Sequence, residues 1–288
     1  MLLAALTLMV APCGLTAQPA EKVSIGQLPA PGQTIRVKTT QDVNMEMTMV
    51  GLPPGGGTPP GPMKSLGTMV FEGTQRVTGP DADGRLSVDL NYDRISAGLT
   101  MNGRPVPSLN ALDTLKGKTF TIVVDAQGKV VDFKFPDNVT AIAPTLKEMM
   151  TAMMDGGPTI SIAVGETITV PLNFTLTATM PGAPPMSMVG ERTFTLLSIA
   201  RVDGERIASL EYRLAAKRIA MAMPGPDGPG TMLADFSTTG IGTTQWNLDR
   251  GYLVSSDLTS TTDGTMTGPI GMTIHGTIRI VTEGSPSP

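Results

Sequence analysis

GETITVPLNFTLTATM, residues 165 to 180, alternates without a miss: Ile168, Val170, Leu172, Phe174, Leu176, Ala178 and Met180 are apolar, while Thr167, Thr169, Pro171, Asn173, Thr175, Thr177 and Thr179 are not. Successive side chains of a strand point to opposite faces, so this pattern predicts one long, half-buried strand. A second stretch, GQTIRVKTTQDVNMEMTM at 32 to 49, opens on the same Gly-Gln/Glu-Thr-Ile step. It sets Ile35, Val37, Val43, Met45, Met47 and Met49 on one parity and Arg36, Lys38, Asp42, Asn44 and Glu46 on the other. Both stretches run into a proline-rich break, which implies two related units that each begin on this strand.

The downstream order repeats as well. In the first unit Met69, Phe71 and Val77 alternate, Asp83-Gly84 marks a hairpin turn, and Leu86, Val88, Leu90 and Tyr92 follow. Parity then flips after Asp93 and resumes at Ile95, Ala97, Leu99 and Met101, the mark of a bulge in a long strand. A hairpin closes the unit, with Phe120, Ile122 and Val124 on one arm and Val131, Phe133 and Phe135 on the other. In the second unit Phe194, Leu196, Ala200 and Val202 lead to a turn at Asp203-Gly204. Ala208, Leu210, Tyr212 and Leu214 come next, a parity slip near Lys217 precedes Ile219, Met221 and Met223, and Trp246 and Tyr252 flank the last hairpin. Ile270 to Ile280 predicts a final strand.

Between the units, Thr145-Leu-Lys-Glu148 has capping-box spacing. Leu146, Met149, Met150, Met153 and Met154 then recur at helical spacing up to the stop at Gly156-Gly157-Pro158. The predicted fold is therefore mainly β: two related antiparallel β units forming curved, half-barrel-like sheets, with one amphipathic helix between them. The organisation expected is a signal peptide at 1–17, a first unit at 18–137, the helix at 138–158, a second unit at 159–283 and a disordered tail at 284–288.

Composition narrows the function. With a net charge of -4 and only 4% aromatic residues, the chain offers neither a basic face for phosphates nor rings for base stacking, which excludes nucleic-acid binding. The first 17 residues, MLLAALTLMVAPCGLTA, are uncharged, apolar and end in small residues, as a secretory signal cleaved after Ala17 would. An exported protein, periplasmic or extracellular, is expected. Cys13, the single cysteine, falls inside this segment, and Pro12 before it does not suit a lipid anchor.

Candidate chemistry is sparse. His275 is the single histidine and lies on the polar parity of its strand. A triad with Asp257 and Ser255 or Ser256 would need a nucleophile-elbow motif that neither serine has, so an exposed strand histidine is expected. The acidic turns at 81–84 and 202–205 lack the ligand alternation of a calcium loop. Twenty methionines are the unusual feature, with Met-x-Met at 45, 47 and 49, at 186 and 188, and at 221 and 223. Thioethers on one face suit either an adaptable apolar lining or Cu(I). The expectation is an exported, non-enzymatic envelope protein without metal or cofactor. It would bind a lipid or other apolar molecule through Met45, Met47, Met149, Met150, Met153, Met154, Met221 and Met223. Its alternatives are a structural or protein-interaction module and a Met-based Cu(I) binder.

The joint of the chain, a helix and a Pro-containing link before VGETITV at 164–170, resembles a family of exported bacterial proteins of unknown function. Members show a similar step into their second half and hairpins like GKTFTIVVDAQGKVVDF at 117–133. The layout is also similar to half-barrel carriers of the LolA and LppX type, which implies a curved antiparallel sheet around an apolar cavity and no particular site residue.

Overall fold

The structure, a computed structural model, describes residues 21–26, 28–50, 61–105, 115–125, 130–136, 147, 159–176, 186–225, 228–267 and 271–287. Its elements are strands: β1 (Lys22–Ile25), β2 (Thr34–Val50), β3 (Met63–Thr78), β4 (Leu86–Met101), β5 (Arg104–Pro105), β6 (Thr119–Val124) and β7 (Val130–Lys134) in the first half. The second half has β8 (Ile160–Ala163), β9 (Thr167–Leu176), β10 (Met186–Val202), β11 (Glu205–Gly225), β12 (Gly228–Asn247), β13 (Tyr252–Thr267) and β14 (Gly271–Pro286). No helical element stands among the described residues. The expected helix lies outside them save for Lys147, whose backbone is helical and whose Nζ is 3.6 Å from Asp132 Oδ1.

One antiparallel sheet runs in the order β7-β6-β4-β3-β2-β14-β13-β12-β11-β10-β9, with β5 beside β4, and it does not close into a barrel. The chain meanders outward from β9 to β14, and β14 then pairs along its whole length with β2, from Gly271 opposite Val50 to Pro286 opposite Ile35. That seam joins the two halves into a continuous sheet. It also takes in residues 284–286 of the tail, which composition alone reads as disordered, and Ser287 N–H donates to Thr34 O at 2.9 Å. Strands of 16 to 21 residues are several times the usual length, and alternation of polar with apolar residues, reset at bulges, runs along them.

The two halves repeat one turn atom for atom. Gly32 N–H donates to Val77 O at 2.8 Å, and Val77 N–H returns to Gln33 O at 3.2 Å. In the second half Gly165 N–H donates to Leu196 O at 2.7 Å, and Leu196 N–H to Glu166 O at 3.2 Å. Both glycines sit at positive φ, 90° and 84°, where a side chain would be strained. Both bulges are present. Asp93 is the extra residue between Tyr92, opposite Gly73, and Arg94, opposite Glu72. Lys217 is passed over between Ala216, opposite Gly190, and Arg218, opposite Val189. Each bulge faces a glycine whose hydrogens alone leave room, since a Cβ there would strike the carbonyl of Asn91 or of Ala215. The bulges are not at equivalent places, however, because Asp93 directly follows Tyr92 while Lys217 stands well beyond Tyr212. The turns differ too: Asp203-Gly204 is a tight pair with both residues at positive φ, whereas of Asp83-Gly84 only the glycine is. There the Asp81 carboxylate organises a wider loop by accepting the N–H groups of Asp83 and Arg85 at 2.9 Å.

β1 and β8 form a separate two-stranded ribbon, in register from Lys22 opposite Ala163 to Ile25 opposite Ile160. Val23, Ile25, Ile160 and Ile162 on the ribbon pack with Leu196, Ala208 and Leu210 of the large sheet. In the first half Val77, Val88, Ile122, Val124, Val130 and Phe133 form a matching cluster with Leu28 against it. Rings step across β3, β4 and β6 from Phe71 to Tyr92 to Phe120 at centroid spacings of 6.1 Å, and on to Phe135 at 5.9 Å.

Candidate hydrophobic binding face

The pairing registers put the apolar parity of every long strand on one face, so the sheet can be read in rows. A row through Leu196 passes Leu210, Thr244, Ser256, Thr282, Thr39, Phe71 and Ile95. A second, further along the strands, passes Arg192, Leu214, Gly240, Ser260, Ile278, Val43 and Gly67. A third passes Met188, Ile219, Phe236, Gly264, Ile274, Met47 and Met63. The face thus has a packed end of branched and aromatic side chains, a middle of glycines and hydroxyls, and a methionine end.

Packing differs between the ends. Val77, Val124, Ile162 and Leu196 are 0% exposed in the two clusters to which the ribbon and the β6–β7 hairpin contribute. At the methionine end Met266 and Ile274 are buried at 6% and 9%, ringed by Met45, Met47, Phe236 and Met272, which remain half-exposed. Of the residues singled out from sequence, Met45 and Met47 belong here. Met221 and Met223 are placed by backbone register alone, opposite Ala234 and Met232 in the β11–β12 ladder. Met149, Met150, Met153 and Met154 lie outside the described residues. Met266, Met272, Ile274 and Phe236 complete the cluster and were readable from strand parity once β12, β13 and β14 are taken as full-length strands.

Hydroxyls in the middle of the face satisfy one another: Thr39 with Thr282 at 3.2 Å, Thr244 with Ser256 at 3.2 Å, and Thr238 with Thr262 at 2.8 Å. Two groups do not share this arrangement. Arg192 Nε and Nη2 are buried without a hydrogen-bond partner, and so is Trp246 Nε1. Burial pushes the Arg192 guanidinium below its ordinary pKa, and the nearby Tyr212 phenol partly offsets this. Burial in turn raises Tyr212 above the ordinary tyrosine value, so it stays neutral at physiological pH. Trp246 borders a small cavity of 140 Å³ that Leu28, Ile35, Val37, Tyr252 and Leu253 also line.

The opposite face is polar and solvent-exposed. His275 lies there as expected, but its Nδ1 is 2.6 Å from Asp263 Oδ1, not beside Asp257. Arg279 holds Asp257 instead, with Nε and Nη2 at 3.0 and 2.6 Å from its two oxygens. Ser255 donates to Gln245 and Ser256 shares a bond with Thr244, which leaves the triad unassembled. A groove of 510 Å³ runs past His275, Asp263, Glu46 and Asp235, and no group of three metal-ligating residues is present among the described residues. No described helix is long and apolar enough to cross a membrane.

No family model matches the chain, and no curated protein matches it. Among solved structures it is similar to lipovitellin, in a structure concerned with lipid–protein interactions, at 10% identity and a TM-score of 0.46. That alignment covers 90% of this chain but 26% of lipovitellin. It is also similar to the β domain of the Bordetella autotransporter BrkA, at 8% identity and a TM-score of 0.26 over 85% of this chain and 98% of that one. A third likeness, to OccK7 of Pseudomonas aeruginosa, has 11% identity and a TM-score of 0.23 over 88% of this chain and 100% of that one. Likeness at these TM-scores carries no functional argument, which leaves the face itself to do so.

Proposed function

We propose that this is an exported, non-enzymatic protein of the cell envelope that binds an apolar molecule on the methionine end of its sheet face. The observation that carries the proposal is the contrast within one face: the packed end is covered, while Met45, Met47, Phe236 and Met272 stay half-exposed around Met266 and Ile274. A contiguous apolar surface of this kind is a binding feature more often than a neutral one, and thioethers adapt their shape to varied guests. The test is saturable binding of the neutral probe N-phenyl-1-naphthylamine by folded, delipidated protein. Stoichiometric binding that Met47→Asp abolishes, with the circular dichroism spectrum unchanged, is the expected result, and no binding by the wild type contradicts it.

The proposal extends to the origin of the fold. The matched turn bonds at Gly32 and Gly165, together with the strand orders β7-β6-β4-β3-β2 and β13-β12-β11-β10-β9, support descent from one duplicated unit with β14 added as the seam. Export rests on the uncharged apolar segment at 1–17. A protein-interaction role has one specific observation in its favour: among the described strands, β7 and β9 are the edges of the sheet, the places where an added strand would pair.

A further inference from the structure

Arg192 is out of place on its strand. Met188, Gly190, Phe194 and Leu196 share its parity, its strand neighbours in the row are Val170 and Leu214, and the Phe194 and Tyr212 rings lie beside it 5.1 Å apart. Arg192 is half-buried, and the Nε–Nη2 edge of its guanidinium that lies out of water needs a counter-charge or hydrogen-bond acceptors, which it is costly to go without. Other polar groups of the face have solved this locally, through the threonine and serine pairs. Arg192 has not, and the phenol beside it bears no charge to balance it.

The two unpartnered atoms identify what is missing. Nε–H and Nη2–H lie on one edge of the guanidinium, the edge that grips both oxygens of a carboxylate. The same molecule shows that grip in use on its polar face, where Arg279 holds Asp257 through these two nitrogens. We infer that Arg192 receives the anionic head of a single-chain amphiphile, of the fatty-acid class, whose alkyl chain lies across the glycine-lined middle of the face toward the methionine end. The residues along that track are small. Next to Arg192 and Leu214 the row continues through Gly240 and Ser260, with Gly242 alongside and Leu258 leaning over Gly240 from β13. From β10 to β2 is five strand spacings, about 24 Å at the usual interstrand distance, a reach that suits a long single acyl chain. The ribbon already occupies the other direction, over Leu196 and Leu210.

This assignment rests on the apolar face being a ligand face, and the experiment separates the two. Displacement of N-phenyl-1-naphthylamine by hexadecanoate and by hexadecanol, which share a chain and differ in head, is measured on the full protein, on Arg192→Met and on Arg192→Lys. Wild type is expected to prefer the acid by about tenfold or more, the scale of one charge-assisted bidentate contact. Arg192→Met, which removes an unpaired buried charge and so should melt no lower than wild type without ligand, loses that preference and keeps its affinity for the alcohol. Arg192→Lys retains part of the preference, because it keeps the charge without the fork. Equal binding of acid and alcohol by wild type, or an acid preference that survives in Arg192→Met, overturns the role of Arg192 while leaving the apolar site standing. Binding of neither compound by folded wild type overturns both.

Discussion

The two ends of the apolar face are made by the same strands and are put to different use. At one end branched and aromatic residues interlock: Leu196 and Leu210 under the ribbon, Val77 and Val88 with Ile122, Val124 and Phe133 of the β6–β7 hairpin. Stiff side chains with few rotamers fill such space completely, and their burial stabilises the sheet. At the other end flexible thioethers stand where no described element covers them. Under the proposed function, the partly buried methionines mark the part of a uniform apolar parity that a ligand reaches, with Met266 and Ile274 as its buried floor.

Breaking the packed end should produce the largest effect. Leu196→Ala or Leu210→Ala is expected to cost about 2 to 5 kcal/mol, the range for emptying a fully buried site, read from the shift in urea midpoint. The matching change at the open end, Met47→Ala, should cost less, about 1 to 2 kcal/mol, since its side chain is only partly buried. Equal costs at the two sites would erase the distinction between them.

A smaller effect sharpens the comparison between the matched turns. Glu166 and Gln33 occupy equivalent places, but the Glu166 carboxylate accepts Ala163 N–H at 2.8 Å and the Lys22 ammonium at 3.1 Å, while Gln33 Oε1 is buried without a partner. The Ala163 N–H, then Lys22, holds the Glu166 carboxyl below its ordinary value. A depressed carboxyl adds stability that is complete above the unfolded pKa, near 4.5, and is lost as pH falls through the lower folded value. Glu166→Gln should therefore flatten the dependence of the urea midpoint on pH between about 5 and 3, modestly and less at high salt because the group is exposed. An unchanged slope would mean that the Glu166 contacts contribute nothing to the ribbon turn.

Much of this was legible before any coordinates. The perfect alternation at 165–176, the parity flip at Asp93 and the slip at Lys217 are local events, and local periodicity reports them directly. β13 was far less legible, because Ser256, Ser260, Thr262 and Gly264 occupy its apolar parity and carry no hydrophobic signal. β12 hid its centre for the same reason, with Gly240 and Gly242 reading as loop. The β1–β8 ribbon joins residues far apart in sequence, and four-residue strands leave too short a pattern to read. The seam between β14 and β2 is a matter of which edges meet, which periodicity does not encode. Arg192 was visible as a charge on the apolar parity of Met188, Phe194 and Leu196, although only the structure shows that its inner edge lacks a partner.

Methionine oxidation by hydrogen peroxide, mapped residue by residue by mass spectrometry with and without saturating hexadecanoate, tests the open end most directly. Thioether oxidation follows exposure, so the half-exposed Met45, Met47, Met63 and Met272 should oxidise readily in the free protein and slow markedly when the ligand is bound, while Met266, at 6% exposure, stays slow in both. Oxidation of those four methionines at the same rate in the free and the ligand-saturated protein would contradict the account.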